Sequence, residues 1–204
     1  SRTGDTLSLR SQFDSHQWRA SLGSVGSNIY LAPRGPSSVM THIVTGAAGF
    51  IGSHLAERLL EDGADVVGID SFHPYYDEEL KRANVREVEA TAAASDGSFR
   101  LVEGSVTDDD ALADLPAEPE YVFHLAAIAG VRYSVDHPVP YTEINVLGTA
   151  KLLDSIDDAA KVVVASSSSV YGEVPLAELP VAEARDLDPI APYPLSKVQT
   201  EEVT

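Results

Sequence analysis

From Met40 onward, short apolar runs alternate with longer stretches in which apolar residues recur every three or four positions. Side chains repeat every two residues along a strand and every 3.6 residues around a helix, so the short runs predict strands and the longer stretches predict helices. The predicted strands lie near 42–46, 64–69, 99–103, 120–125 and 161–166, and the predicted helices near 50–62, 77–92, 108–114, 140–157 and 193–204. Such alternation with short loops is typical of an α/β fold, here a Rossmann-type doubly wound parallel sheet.

Residues 1–39 follow neither period and are rich in Ser, Gly and Arg. They hold four arginines and two acids, a net charge of +2, so residues 40–204 hold ten bases and thirty acids, a net charge of −20. We interpret Met40 as the natural start and residues 1–39 as an upstream extension or a disordered tail. Residues 40–204 are then expected to form one nucleotide-binding domain.

The composition narrows the class of protein. The chain has no cysteine, which excludes disulfides and thiolate chemistry, and it has no apolar run near the roughly 18 residues of a membrane span. We predict a soluble, cytoplasmic protein. A net charge of −18 repels nucleic acid and anionic membranes, so neither is an expected partner. Because the acids are dispersed, we favour adaptation to high salt over a cationic partner.

Three glycines follow the first predicted strand directly and lead into an amphipathic helix. Gly46 permits a tight turn, Gly49 lets the backbone approach a pyrophosphate, and Gly52 allows the helix to pack closely. The amides of the helix start then face the phosphates. The second strand ends in Asp70, where the adenine ribose of a dinucleotide is expected. Together these features predict a dinucleotide site.

A second group of chemically useful residues lies near the end of the chain. Tyr193 and Lys197 are four residues apart in YPLSK, so on a helix they share a face and the ammonium favours the phenolate form. Four consecutive serines follow the fifth predicted strand, at the edge where ligands bind in open α/β sheets. His124 ends a buried strand, and we expect it to be packed or hydrogen-bonded in the core. No cluster has the spacing of metal ligands, so no metal is predicted.

Seven motifs in order resemble those of the extended short-chain dehydrogenase/reductases, within the nucleotide-sugar epimerase/dehydratase family. The resemblance covers 40–204 and rests on TGAAGFIG, VVGID, VEGSVTD, HLAAIAGVRYS, NVLGT, SSSSVYG and YPLSK. DSFHPYYDEELKRANV and AGVRYS are most similar to the UDP-glucuronate 4-epimerases. The family continues past YPLSK with a further strand and a substrate lobe, so we expect that this chain is truncated before that lobe.

The resemblance implies NAD as the cofactor and assigns residues to it. Phe50 and Ile51 are implied to cap the pyrophosphate with their amides, and Asp70 to accept the adenosine ribose hydroxyls. Ser105 stands where relatives usually have an aspartate that contacts adenine, which implies a weaker hold on that ring. The implied cofactor residues are Gly46, Gly49, Phe50, Ile51, Gly52, Asp70, Ser105, Val106, Leu125, Ala126, Ala127, Asn145, Tyr193 and Lys197.

The resemblance also implies the chemistry, C4 epimerisation of a nucleotide sugar through a 4-keto intermediate. Tyr193 is implied to be the base, Lys197 its partner and Ser167 a hydrogen-bond donor to the sugar oxygen. The expected substrate is UDP-glucuronate, interconverted with UDP-galacturonate, and Arg132, Ser167, Ser168 and Ser169 are the expected substrate residues. Sugar-nucleotide 4,6-dehydratases have an Asp-Glu pair where this chain has two serines, which argues against dehydration.

Three alternatives stay open. Two of them are other activities on nucleotide sugars, UDP-glucose 4-epimerase and UDP-glucuronate decarboxylase. An NAD-binding module without turnover belongs to another class of function, and it fits a chain that stops at Thr204. The oligomeric state is also left open, with a homodimer as one alternative.

Overall fold

The computed structural model describes residues 40–157 and 160–204. The predicted extension over 1–39 lies outside the described residues. These residues fall into two compact units, one made of 40–173 with 187–204 and a second whose described part is 174–186. Within 174–186 there is a 3₁₀ turn over Leu176–Glu178, and Arg185 pairs with Glu178. All further elements belong to the first unit.

In the part of the chain that the structure describes, five parallel strands form one sheet in the order β3-β2-β1-β4-β5. They are β1 (Thr41–Thr45), β2 (Asp65–Asp70), β3 (Phe99–Glu103), β4 (Tyr121–His124) and β5 (Lys161–Val164). This order is that of a Rossmann fold, which confirms the predicted class. The direction of winding reverses between β1 and β4, and a crevice for ligands opens there beyond the carboxyl ends of the strands.

The helices alternate with the strands along the chain. They are α1 (Phe50–Glu61), α2 (Glu78–Ala94), α3 (Asp109–Ala113), α4 (Val131–Asp136), α5 (Pro138–Tyr141), a π-helical segment (Thr142–Leu147), α6 (Gly148–Asp154) and α7 (Pro192–Val203). A 3₁₀ turn over Ser168–Tyr171 follows β5.

Both faces of the sheet are buried, as expected for a doubly wound sheet. Ile43 and Val67 point to one face and pack with Leu152 of α6, whereas the adjacent Val44 and Val66 point to the other. On that second face, residues of α1 and α2 complete the core. Neighbouring residues of one strand therefore contribute to two separate apolar layers, and β1 and β2 are buried at every position after their first residue.

The structure differs from the predicted elements mainly after β4. The helix predicted over 140–157 starts at Pro138, where a missing N–H costs nothing in the first turn, and it ends at Asp154. Its middle is π-helical. α4 and the 3₁₀ turn lie in stretches predicted as loops, because both are too short to show a hydrophobic period.

Candidate active site

The glycine-rich turn between β1 and α1 has the geometry of a phosphate-binding turn. Gly46 has φ +70°, a left-handed conformation that favours glycine, and a Cβ there would lie 3.0 Å from the backbone N of Ala126. A Cβ on Gly52 would lie 2.1 Å from the carbonyl oxygen of Gly46. Both the tight turn and the close helix packing expected from the sequence are therefore present.

The start of α1 leaves backbone amides available at the expected phosphate position. This helix begins after Gly49, and no side chain among the described residues caps it. Phe50 and Ile51 are 73% and 65% exposed although both are apolar. The positive end of the helix dipole favours an anion at this position.

Asp70, at the end of β2, has a buried carboxylate that already has three partners. Its Oδ1 accepts from the N–H of Phe72 at 2.8 Å and from Nζ of Lys81 at 3.0 Å. Its Oδ2 accepts from the N–H of Ala48 at 3.1 Å. A carboxylate accepts about four hydrogen bonds, so one position is left for a ribose hydroxyl. The sequence predicted an acid here but not the buried ammonium of Lys81 that offsets its charge.

A pocket lies at the carboxyl ends of the strands, beside the crevice between β1 and β4. Eight of the predicted cofactor residues line it: Gly46, Gly49, Asp70, Ser105, Val106, Leu125, Ala126 and Ala127. Residues that the sequence analysis did not assign complete much of the remaining wall, namely His73, Tyr75, Tyr76, Lys81, Ile128 and Ile144. The structure therefore brings most of the predicted dinucleotide residues together.

Ser105 lines this pocket, but its hydroxyl also shapes the chain after β3. The Oγ atom lies 2.8 Å from Oγ1 of Thr107 and accepts from the Thr107 N–H at 3.2 Å. The adjacent Val106 is buried, with Gly148 packed against it so closely that a Cβ would lie 2.6 Å from Cγ2 of Val106. Ser105 thus stabilises the turn that presents both residues to the pocket.

His124 is the centre of a buried chain of hydrogen bonds. The Oγ1 of Thr149 donates to the carbonyl oxygen of Asn145 at 2.5 Å, so it accepts from Nε2–H of His124 at 2.8 Å. Nδ1 is then the acceptor for the hydroxyl of Thr45, also at 2.8 Å. The partners thus define a neutral Nε2–H tautomer. The prediction of a hydrogen-bonded core histidine is confirmed.

This chain of bonds continues into the wall of the pocket. The Oγ1 of Thr45 accepts from the backbone N–H groups of Leu125 at 3.1 Å and Ala126 at 2.9 Å. Burial, followed by the nearby charge of Lys197, lowers the pKa of His124 to about 4. The ring therefore stays neutral near pH 7, as these hydrogen bonds require.

Asn145 has a buried side chain that bonds two other parts of the chain. Its Oδ1 accepts from the N–H of Ile128 at 2.8 Å, and its Nδ2 donates to the carbonyl of Ile128 at 3.0 Å and to Oγ of Ser196 at 2.9 Å. Its own carbonyl oxygen also accepts from Thr200 at 2.9 Å. Both donors of the side-chain amide are thus occupied, and these bonds position Ile128 of the pocket wall and Ser196 of α7.

Lys197 joins α7 to the end of β5. Its Nζ is buried and donates to the carbonyl of Ala165 at 2.8 Å, two residues before Ser167. Burial lowers the pKa of Lys197 to about 8, although the charge of Glu201 acts in the opposite direction. Ser167 begins the 3₁₀ turn, where its Oγ accepts from the N–H of Ser169 at 3.2 Å. The lysine and the serine run thus lie at the same edge of the sheet.

Tyr193 lies in the first turn of α7 and is half-buried. Its N–H donates to Oγ of Ser134 at 3.1 Å, and Ser134 in turn donates to the carbonyl of Val131 at 2.6 Å. Its ring packs edge-on against Tyr141 at 5.9 Å between centroids. Arg132 is exposed on α4, the same short helix as Ser134. Ser134 lies within AGVRYS, but the sequence alone does not predict its contact with Tyr193, because the two residues are 59 positions apart.

The described residues include neither a metal-ligand cluster nor a membrane-spanning helix. Within 40–157 and 160–204, no group of three or more His, Asp or Glu side chains is placed to hold a metal ion. No helix among the same residues is long and apolar enough to cross a membrane.

The fold and the site define a dinucleotide-binding domain with a Tyr-x-x-x-Lys helix. The sequence model of the family described as GDP-mannose 4,6 dehydratase matches residues 43–204, and the chain belongs to this family. A protein of Rhizobium meliloti (strain 1021) named "Probable UDP-glucuronate 4-epimerase" is 40% identical over 79% of this chain and 47% of its own length. A protein of Mycolicibacterium smegmatis named UDP-glucose 4-epimerase is 40% identical over 79% of this chain and 49% of its own length.

Solved structures agree with these sequence relatives. The crystal structure of UDP-glucuronic acid 4-epimerase from Bacillus cereus, in complex with UDP-glucuronic acid and NAD, superposes with a TM-score of 0.69 at 37% identity. It covers 80% of this chain, which in turn covers 51% of that one. This chain therefore spans about half the length of these relatives.

Proposed function

We propose that this chain is the NAD-binding part of a nucleotide-sugar 4-epimerase that interconverts UDP-glucuronate and UDP-galacturonate. The observation that carries the proposal is the bond from Lys197 Nζ to the Ala165 carbonyl. It links the Tyr193 helix to the strand end that carries the serine run. The NAD complexes of related structures and the pocket lined by the glycine turn support NAD as the cofactor.

Proton transfer is assigned to Tyr193. When bound, NAD supplies a hydride acceptor and donor for C4 of the sugar. The phenolate of Tyr193 would take the proton of the 4-hydroxyl when C4 is oxidised and would return it to the ketone oxygen when C4 is reduced. Ser167 donates a hydrogen bond to the same oxygen.

Lys197 favours the phenolate through its positive charge. Because the pKa of Lys197 is lowered to about 8, this support weakens as the pH rises above 8. The buried position of the ammonium strengthens its effect on the phenolate at lower pH, since few water molecules screen it.

A uronate substrate requires residues that restrain its carboxylate. Its 4-keto form is a β-keto acid that loses carbon dioxide readily, so the carboxylate must be restrained. Ser168 and Ser169 lie in the 3₁₀ turn beside Ser167, and Arg132 lies on the helix that contacts Tyr193 through Ser134. Hydroxyl and guanidinium donors suit a carboxylate because charged acceptors strengthen each hydrogen bond about twofold.

NAD is expected to bind more tightly than NADP, because a 2′-phosphate would approach the carboxylate of Asp70. Lys81 moderates this repulsion, since its ammonium lies 3.0 Å from the same carboxylate. Calorimetry with both cofactors tests the order of affinity, and tighter binding of NADP would contradict it.

The substrate is tested by NMR of the complete gene product incubated separately with UDP-glucuronate and UDP-glucose. We expect UDP-galacturonate from the first. Conversion of UDP-glucose alone would overturn the uronate assignment and identify a UDP-glucose 4-epimerase. A 4-keto pentose as the main product would identify a decarboxylase. NAD binding without turnover of either sugar would support a module without catalysis.

A variant pair sharpens the role of the serines. Replacing Ser168 and Ser169 with alanine is expected to release more carbon dioxide per turnover and to yield a 4-keto pentose. Ser155→Ala is the matched control, because this hydroxyl bonds only the Leu152 carbonyl in the part of the chain described, at the end of α6. Unchanged product ratios in the double variant would remove the serines from this role.

A further inference from the structure

Tyr76 has a buried hydroxyl that lacks a hydrogen-bond partner among the described residues. It lies between β2 and α2, in the segment after Asp70. Leaving a buried polar group unpaired destabilises a fold, and such groups are rare in folded proteins. An orphaned hydroxyl in a ligand pocket indicates a partner that arrives with the ligand.

The hydroxyl faces the glycine turn. Tyr76 lines the pocket together with Gly46 and Gly49, and a Cβ on Gly49 would lie 3.6 Å from the Tyr76 hydroxyl oxygen. The Tyr76 ring is fixed from the other side, where Nζ of Lys81 lies 5.3 Å from its centroid. Its hydroxyl is therefore held at the turn that precedes the first amide of α1, at Phe50.

Its electrostatic setting suits a hydrogen-bond donor. Burial and the charge of Asp70 raise the pKa of Tyr76, against a smaller opposite effect of the Phe50 amide. The phenol therefore keeps its proton at neutral pH and can donate it to an acceptor.

The charges around the pocket explain why a neutral donor is useful there. The titratable residues lining it are Asp70, His73, Tyr75, Tyr76 and Lys81, and Lys81 is already paired with Asp70. A pyrophosphate brings two negative charges into a chain that is itself strongly acidic. With the lysine committed to a carboxylate, backbone amides and hydroxyls have to supply much of the binding.

We propose that the Tyr76 hydroxyl is a phosphate ligand, donating a hydrogen bond to a pyrophosphate oxygen of the bound dinucleotide beside the Gly49 turn. The inference rests on the proposed function, because it assumes that an adenine dinucleotide occupies the pocket. It assigns a role to one atom that the motifs in the sequence leave unassigned.

Tyr76→Phe tests this atom alone, since it keeps the ring and removes the hydroxyl. Calorimetry with NAD and with ADP is expected to show a Kd raised roughly 10- to 100-fold, the usual effect of losing a hydrogen bond to a charged group. Adenosine has no phosphate, so its affinity, followed by ligand-observed NMR, is expected to stay within about twofold. The ligand-free variant should melt close to wild type, because the Phe50 amide is the one backbone group that acts on the hydroxyl and the hydroxyl has no acceptor among the described residues.

Tyr121→Phe is the matched control. It also removes one phenol hydroxyl, but from the amino end of β4, where the hydroxyl contacts Lys161. NAD affinity should not change in this variant.

Three outcomes would overturn the inference. NAD binding within twofold of wild type in Tyr76→Phe would show that the hydroxyl makes no useful contact. An equal loss for adenosine would assign the effect to the shape of the pocket. Failure of the wild-type chain to bind NAD would refute the proposed function, and the inference with it.

Discussion

The dinucleotide end and the proton-transfer end of the site are built in different ways. At the dinucleotide end, glycines and uncapped amides face the pocket, and a buried ion pair between Asp70 and Lys81 stands beside them. At the proton-transfer end, the N–H of Tyr193 donates to Ser134, the buried ammonium of Lys197 donates to the Ala165 carbonyl, and Asn145 bonds Ser196 and Thr200 of the same helix. The first end presents backbone donors that have no side-chain cap, whereas at the second end the groups that position α7 already have partners within the protein.

This difference separates binding from positioning. Unsatisfied donors at the glycine turn gain partners when a ligand arrives, so they contribute to affinity. Saturated side chains such as Asn145 gain nothing from a ligand and instead fix where the reacting groups stand. Substitutions at the two ends should therefore change different measurements.

Tyr193→Phe should have the largest effect, on turnover alone. Loss of the general base is expected to lower kcat by about 10²- to 10⁴-fold in the complete gene product. Thermal stability and NAD affinity should stay close to wild type, because the N–H bond to Ser134 and the ring packing on Tyr141 remain. Steady-state kinetics and calorimetry check the two halves of this prediction.

Tyr121→Phe serves again as the control for loss of a phenol hydroxyl. Activity of Tyr193→Phe within a few-fold of wild type would end the assignment of this residue as the base.

Asp70→Asn should have the next largest effect, on stability. It leaves the buried ammonium of Lys81 without a carboxylate, which typically costs about 3–5 kcal/mol. Denaturant unfolding of the ligand-free chain measures this loss. The double variant with Lys81→Met should recover part of it, because no buried charge is left unpaired.

Glu103→Gln is the matched control, since Glu103 pairs with Asp70 in the register of β2 and β3 but forms its ion pair with Arg82 at the surface. Its effect should be much smaller. Equal losses in Asp70→Asn and Glu103→Gln would show that burial of the first pair does not matter.

His124 should give a smaller effect that depends on pH. Its pKa is about 4 when folded, against about 6.5 when unfolded, so the unfolded chain binds the extra proton between these values. Its contribution to stability is complete above pH 6.5 and falls by up to about 3 kcal/mol as the pH drops to 4. Across this window, the free energy of unfolding should change less with pH in His124→Gln than in wild type.

If the free energy of unfolding changed with pH equally in His124→Gln and in wild type, other groups would be responsible for the loss of stability in acid.

Salt should raise the stability of the whole chain without changing the contribution of the buried pair between Asp70 and Lys81. Potassium chloride screens the repulsion among the exposed acids, so the melting temperature is expected to rise into the molar range. The difference in stability between wild type and Asp70→Asn should change by less than about 0.5 kcal/mol, because a buried pair is screened little. A flat melting temperature would contradict salt adaptation, and a shrinking difference would show that water reaches the pair.

The sequence predicted what depends on local pattern. The five strands, the glycine turn and the shared face of Tyr193 and Lys197 follow from spacing along the chain, and the structure has them within a few residues. The acid at the end of β2 was found in the same way.

What the sequence did not predict depends on contacts between distant elements. The partner of Asp70 is Lys81, on the next helix, and only the packing of α2 brings the two together. The bond from Ser134 to Tyr193 joins positions 59 residues apart. The saturated amide of Asn145 could not be anticipated either, because its three partners lie in two other parts of the chain.

The π-helical segment Thr142–Leu147 has a consequence for sequence change within this family. A wider turn accommodates one more residue than an α-helix does over the same length, so it acts as a one-residue insertion. If the same residues formed an ordinary α-helix, everything after them would be rotated by about 100°. Thr149 would then turn away from His124 and Leu152 away from the sheet. Deleting one residue of the segment removes the extra residue together with the wide turn, so a deletion there is expected to disturb these two contacts less than a change that straightens the segment at full length.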